Sequence, residues 1–233
     1  MVSPKLGLSK RIVEEIIKSG IKKVTLSGGE PTISKHLLKI LKLIKSAGIE
    51  VVLHTNGLRI DAPMAQKISP LVSRVSLSLD GSNKQMGCAM RKNISYVSHT
   101  LELMDLFKSL RVEVNVKTLV TKVNCKDIES IGKALTGKPL KYWSLLEFNP
   151  INRGKIYKDK FYLTERSFDT ISKKMVKLFP NLTIRIRKMR SNPESYCFIA
   201  ANGEVYTFNS LKDDVLVGDL KKEALNLILD RIT

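Results

Sequence analysis

The sequence predicts an α/β protein built on a parallel sheet, and three observations carry that reading. Short apolar runs rich in β-branched residues alternate with longer segments whose apolar residues recur at helical spacing. Gly20 and Gly48 each follow such a helical segment and precede a strand. Small and polar residues crowd the C-terminal end of each strand, the edge where parallel α/β sheets and barrels hold ligands. Parallel neighbours need a crossover, and the intervening helices supply it.

The elements follow in order. Ser9 is placed to cap a helix through Ile12, Val13, Ile16 and Ile17, and Val24–Ser27 reads as a strand. Ser34 is placed to cap the next helix, with Leu37, Leu38, Ile40, Leu41 and Ile44 inward and lysines outward, followed by a strand over Glu50–His54. A short helix is expected over Pro63–Ile68, a strand over Arg74–Asp80 and a long helix between Ser95 and Leu110. Val112–Val120 alternates as a strand, Asn124 is placed to cap a helix through Ile128, Ile131 and Leu135, and Tyr142–Pro150 is a further strand. Thr164 starts a helix through Phe168, Ile171, Met175 and Val176 that Pro180 closes, after which Leu182, Ile184 and Ile186 alternate with polar residues. Two apolar runs around Asn202-Gly203 form the strongest hairpin signal in the chain, and a helix over Lys221–Ile228 finishes it. The organisation expected is a main α/β barrel-type unit over residues 1–155, with residues 156–233 adding a last barrel helix and a small strand, hairpin and helix cap within one domain.

Composition narrows the function classes. A chain of 233 residues with 43% hydrophobic content and 8 prolines can bury a sizeable core and is not a disordered sequence. No apolar run approaches the roughly 18 residues a membrane helix needs, and no signal-peptide core is visible, so a cytoplasmic protein with no membrane partner is expected. Cys88, Cys125 and Cys197 are too few and too scattered for a disulfide framework. The formal charge of +18, from 40 Lys+Arg against 22 Asp+Glu, attracts phosphate-bearing partners, yet the basic residues are spread along the chain with no aromatic-interleaved stretch. A generally basic surface and a dedicated nucleic-acid site both remain open.

The ligand edge reads as Ser27-Gly28-Gly29-Glu30-Pro31, His54-Thr55-Asn56-Gly57, Ser78-Leu79-Asp80-Gly81, Lys117-Thr118 and Phe148-Asn149-Pro150. At Gly28-Gly29 the missing side chains let backbone N–H groups approach an anionic group, and Glu30 adds a carboxylate suited to an ammonium. Donors beside a carboxylate match the zwitterionic end of an amino acid; an ordinary tight turn uses the same residues. His54 either lines this edge or packs in the barrel mouth. Asp80 contacts a ligand or caps its turn with Gly81, and Lys117 faces the pocket or the helices according to register. Arg153 and Lys155 are candidates for meeting an anionic substrate.

With "LSGGEP" ending a strand, then "HTNG", "SLD" and "MR" in following units, the chain resembles the radical SAM superfamily from about Leu6 to Phe208. The resemblance implies a partial (β/α) TIM-like barrel that binds S-adenosylmethionine (SAM), with Gly28, Gly29 and Glu30 at the methionine amino group. It places Ser78 against the cofactor, Arg91 at its carboxylate and Asn115 near the adenosine. "NPINRGK" and the Asn-Gly hairpin are similar to members near the molybdenum-cofactor and viperin-like enzymes. The family's reaction abstracts hydrogen from a substrate, here a small molecule that the basic edge suits if it is anionic.

One departure stands out. The family's [4Fe–4S] cluster is held by cysteines spaced CxxxCxxC, and no such run occurs in this sequence. The expectation is therefore a chain that lacks the first barrel strand and the cluster loop, leaving five of the usual six strands, and that is an incomplete or inactive form. A start codon placed too far downstream and a decayed paralogue both account for it. Cys88 and Cys125 are expected in loops on the ligand face, but cluster ligation by them with Cys197 is disfavoured because they come from separate loops and Cys197 lies in the hairpin tail. Self-association through the exposed edge strand follows from the same reading. The alternative is a cluster-free, basic nucleotide- or RNA-binding protein on the same scaffold.

Overall fold

Six parallel strands in sequential order form the central sheet of the computed structural model, which describes residues 6–188, 196–208 and 214–232. Helix α1 (Leu6–Lys18) leads into β1 (Lys23–Leu26), α2 (Leu37–Ser46), β2 (Glu50–Thr55), α3 (Ala62–Ile68) and β3 (Arg74–Ser78). Two helices, α4 (Lys84–Arg91) and α5 (Tyr96–Ser109), precede β4 (Glu113–Val120), α6 (Ile128–Leu135) and β5 (Tyr142–Glu147). The short α7 (Lys158–Phe161) and the long α8 (Glu165–Leu178) then lead to β6 (Ile184–Arg187). Sequential order with right-handed crossovers places successive helices on the same side of the sheet. One face of the sheet is thereby covered and the other is left for side chains of the strands alone.

Register fixes which residues take which face. Val24, Leu53, Val75, Val114 and Trp143 fall on the helix side, as the pairs Val24↔Val51, Leu53↔Val75, Val75↔Val114 and Val116↔Trp143 show. There they meet Leu41, Ile44, Met104, Phe107, Ile131 and Phe168, all essentially inaccessible, in one core. The heptad-like recurrence of Leu37, Leu41 and Ile44 along α2 is what seats that helix. Trp143 is fully buried, donates from Nε1 to Thr118 Oγ1 at 2.8 Å and meets the Phe179 ring edge-on at 6.4 Å.

The C-terminal segment forms a three-stranded antiparallel sheet, β7 (Tyr196–Ile199), β8 (Glu204–Phe208) and β9 (Val215–Asp219), closed by α9 (Leu225–Asp230). Gly203 takes φ +90° in the turn between β7 and β8, a conformation that favours glycine. Val205, Leu220, Leu225 and Ile228 join the main core, and the Leu225 amide donates to Glu15 of α1 at 3.1 Å, which ties the cap to the first helix.

Several expectations are corrected. The sheet has six strands rather than five, because the alternating Ile184–Arg187 pairs in parallel with β5. Ser9 lies inside α1 with its hydroxyl buried, so the helix begins before it. Asn124 does not cap α6: its amide is buried, accepting from Thr121 and donating to the carbonyls of Asp80 and Leu119, and α6 starts at Ile128. Cys88 sits on α4, a helix that breaks the expected loop, and β9 and the later start of α9 were not legible in the terminal pattern.

Because Trp143 fills the space between sheet and α8 and holds a buried hydroxyl, Trp143→Ala is expected to cost roughly 3–5 kcal/mol of unfolding free energy. Urea denaturation of the two proteins checks this.

Candidate functional site

The C-terminal edge of the sheet is organised by Glu30. Its Oε1 accepts from the Thr32 amide at 3.1 Å, the Thr32 hydroxyl at 2.6 Å and the Thr55 hydroxyl at 2.6 Å. Its Oε2 accepts from the Asn56 amide at 2.7 Å. The carboxylate thus ties the turn after β1 to the turn after β2. Thr55 is buried and in turn accepts from the Gly57 amide at 2.9 Å, so the clamp extends through the "HTNG" turn, where Gly57 has φ +76°. Hydrogen bonds to a charged group contribute about 1.5–3 kcal/mol each, which suits a clamp between two loops.

The clamp leaves the preceding residues open. Gly28 has φ +121°, no heavy atom lies within 4 Å of where its Cβ would stand, and Gly28 and Gly29 are both exposed. Among the described residues, no hydrogen bond engages the backbone of either glycine. The corner therefore offers unbonded N–H and C=O groups next to a carboxylate whose Oε2 accepts only one bond.

Ser78 and Asn115 share the face of the sheet that the helices leave uncovered, with Asn115 opposite Ser76 and Ser78 opposite Lys117. Asn115 is fully buried, and neither its amide nitrogen nor its oxygen has a partner; the Ser76 hydroxyl beside it is also unpartnered. Buried amides are nearly always bonded, which makes these unpartnered atoms stand out on this face. Lys117 and His54 take the same face, which resolves the register question for both. Lys117 Nζ lies 3.1 Å and 3.0 Å from the two ring nitrogens of His54. Burial, with repulsion from Lys117, pulls the His54 imidazole down to about 4, and burial with repulsion from Arg187 pulls Lys117 down to about 8.

Arg91 is engaged by Asp80. Its Nε donates to Asp80 Oδ2 at 2.6 Å and one terminal nitrogen reaches the same oxygen, while Asp80 Oδ1 accepts from the Leu119 amide at 2.8 Å. Asp80 is 1% exposed, so it does not cap its turn but joins α4 to the ends of β3 and β4. Burial raises its carboxyl above the ordinary range against the pull of Arg91. The side chain of Arg153 lies outside the described residues. Sequence reasoning named Thr55 and Asn56 on the ligand edge without linking them to Glu30; the signal was a threonine one turn across from a strand-end glutamate.

The cysteines do not form a ligand set. Cys88 on α4 and Cys197 on β7 are exposed, Cys125 lies in the turn after β4, and no group of three His, Cys, Asp or Glu side chains suited to a metal occurs among the described residues. No helix among those residues is long and apolar enough to cross a membrane.

The buried imidazole sets a pH dependence. Between pH 6.5 and about 4 the unfolded chain takes up a proton at His54 that the folded chain refuses, so stability falls as the solution is acidified. A tenfold difference in proton affinity between folded and unfolded chains is worth about 1.4 kcal/mol. Urea midpoints at pH 7 and 4.5 are therefore expected to show wild type losing about 2 kcal/mol more than His54→Asn.

The model of the radical SAM superfamily matches residues 5–135. A curated S-adenosylmethionine-dependent nucleotide dehydratase of Lacinutrix mariniflava is 30% identical over 168 residues, covering 67% of this chain and 34% of that protein. The GTP 3',8-cyclase of Thermodesulfovibrio yellowstonii is 26% identical over 195 residues, covering 82% of this chain and 58% of that protein. The chain thus spans about a third to three fifths of the length of these two relatives. Among solved structures, native anSMEcpe with bound AdoMet superposes with a TM-score of 0.77 at 18% identity, over 97% of this chain and 72% of that one. Streptococcus suis SuiB bound to precursor peptide SuiA gives 0.72 at 15% identity, over 97% and 59%. These neighbours show the fold, a TIM-like barrel of parallel strands carrying a small antiparallel sheet. With the family model matching more than half of its residues, the chain belongs to the radical SAM superfamily.

Proposed function

We propose that this chain binds SAM along the C-terminal edge of its sheet and positions it for hydrogen abstraction from a small-molecule substrate. The observation that carries the reading is Asn115, whose two amide atoms are buried and unpartnered on the face that leads to the unbonded Gly28–Gly29 corner. In the assignment, the glycine carbonyls and the remaining acceptor site on Glu30 receive the methionine ammonium, while the unbonded N–H groups of Gly28 and Gly29 donate to the methionine carboxylate. Ser78 and Asn115 take the nucleoside side, as donors and acceptors that need no rearrangement to bind. Arg91 already holds Asp80 and reaches the cofactor carboxylate only through its remaining N–H groups. When bound, SAM supplies the 5′-deoxyadenosyl group of the family's radical chemistry.

The protein's own contribution is binding, orientation and exclusion of water. The Glu30 clamp fixes the two turns, and the apolar core beneath keeps the edge rigid. The three cysteines do not fit the superfamily's [4Fe–4S] cluster, so its ligands must be other than these, and no step through it is assigned to this chain. The relatives named for nucleotide and GTP reactions agree with a basic chain whose substrate is a nucleotide or a similar anion.

Calorimetric titration with SAM tests the assignment. Gly28→Ala, strained at φ +121°, and Asn115→Val are each expected to weaken binding at least tenfold. Asn115→Val is also expected to leave the melting temperature unchanged or higher, because it removes a buried amide whose unmet bonds cost about 1–3 kcal/mol. Undiminished SAM affinity in both variants overturns the reading.

A further inference from the structure

The uncovered face of the sheet carries a charge arrangement that SAM does not use. Lys117, Arg185 and Arg187 all point by register to this face: Lys117 is opposite Ser144, Ser144 opposite Arg185, and Leu146 opposite Arg187. The carboxylates that strand position puts on the same face, among the described residues of the six strands, are Glu50 and Glu113 at the far ends of β2 and β4. Both are already matched. Glu50 pairs with Lys23 at 2.9 Å and accepts from Ser73, and Glu113 holds Arg74 and Lys141, each at 2.6 Å. Among the described residues of the strands, the C-terminal half of this face therefore carries cations and no carboxylate.

The partner that Lys117 does have is a poor one. An ammonium only donates, and a neutral imidazole offers one acceptor nitrogen, yet Nζ sits at hydrogen-bond distance from both. Beside this contact, the Ser76 hydroxyl, next to His54 in register, is buried and unpartnered. The Arg185 guanidinium lies 3.7 Å from the centroid of the Tyr142 ring, a cation–π contact at the N-terminal end of β5. Lys117 and His54 are partly exposed, so a ligand can reach them.

We propose that Lys117 and Arg187, with the His54 imidazole and the Ser76 hydroxyl, form a seat for the phosphate group of a phosphorylated substrate, separate from the residues assigned to SAM. The proposal rests on the SAM-binding reading for its place in the reaction, and names the class of substrate that binding would serve. A multiply charged oxyanion balances two or three cations and accepts from lysine, arginine and hydroxyl donors at once; a single carboxylate leaves the face in excess positive charge. On binding, Nζ exchanges the imidazole for an oxyanion, and the imidazole becomes free to donate. Burial lowers the proton affinity of both groups, with Lys117 adding to the effect on His54 and Arg187 to that on Lys117, which agrees with cations crowded on one face.

Titration of the full chain with inorganic pyrophosphate, by calorimetry and with and without saturating SAM, tests this. Saturable binding is expected, at least tenfold weaker in Lys117→Met and in Arg187→Gln and unchanged in Lys138→Met, whose lysine pairs with Asp105 away from the face. The His54 ring resonances are expected to shift and saturate with the same constant. Succinate is expected to bind at least tenfold more weakly than pyrophosphate. Equal loss in Lys138→Met shows nonspecific attraction to a basic surface, and equal affinity for succinate removes the phosphate assignment; either overturns the proposal. Displacement of SAM by pyrophosphate also overturns it, by giving the seat to the cofactor's own carboxylate. If SAM fails to bind while pyrophosphate binds as described, the seat stands and the SAM reading alone falls.

Discussion

The Glu30 carboxylate is the interaction on which the site depends. Four donors, from Thr32, Thr55 and Asn56, converge on it and fasten two neighbouring strand ends to one another. A parallel sheet by itself holds its strands through the ladder but leaves the turns beyond them free. Here one charged group, partly buried and richly bonded, removes that freedom at the corner where Gly28 and Gly29 present their backbone. Donors from the chain solvate the carboxylate in place of water. The same carboxylate thus has a structural task before any ligand arrives, and its second oxygen retains capacity for one more donor.

Above that corner the sheet divides its chemistry between two faces. Strand residues on one side interdigitate with the flanking helices and make an ordinary apolar core, where Leu53, Val75, Val116 and Trp143 are inaccessible. On the other side the same strands carry His54, Ser76, Asn115, Lys117 and Arg185, residues that no core needs. Polar groups buried without partners destabilise a fold by about 1–3 kcal/mol each, so a chain keeps them where something else supplies the missing bonds. Asp80 and Arg91 illustrate the contrast: both are drawn into an ion pair that joins α4 to the sheet, and their charges answer one another.

Much of this was legible in the sequence, for identifiable reasons. The alternation of β-branched runs with helical periods pointed to a parallel sheet, and Gly-Gly-Glu at a strand end marked the corner, because glycine and strand-end polarity are local signals. What stayed hidden depended on distant pairing. Ile184–Arg187 reads as an isolated alternating run until it pairs with β5. Asn124 looks like a helix cap until its amide is found bonded to the carbonyls of Asp80 and Leu119. The orientation of Lys117 turns on register, which alternation alone leaves open to a shift of one residue. Arg91 carried a plausible role from its motif, yet Asp80, eleven residues earlier, already engages it.

Hydrogen–deuterium exchange measured with and without SAM tests the central claim most directly. If the Gly-Gly-Glu corner receives the methionine head, the amides of Gly28 and Gly29, unbonded in the free chain, gain protection on adding SAM, and those of Asn56 and Gly57 gain it as the clamp tightens. Saturable SAM binding that leaves those four amides unchanged, with protection appearing elsewhere, contradicts the account.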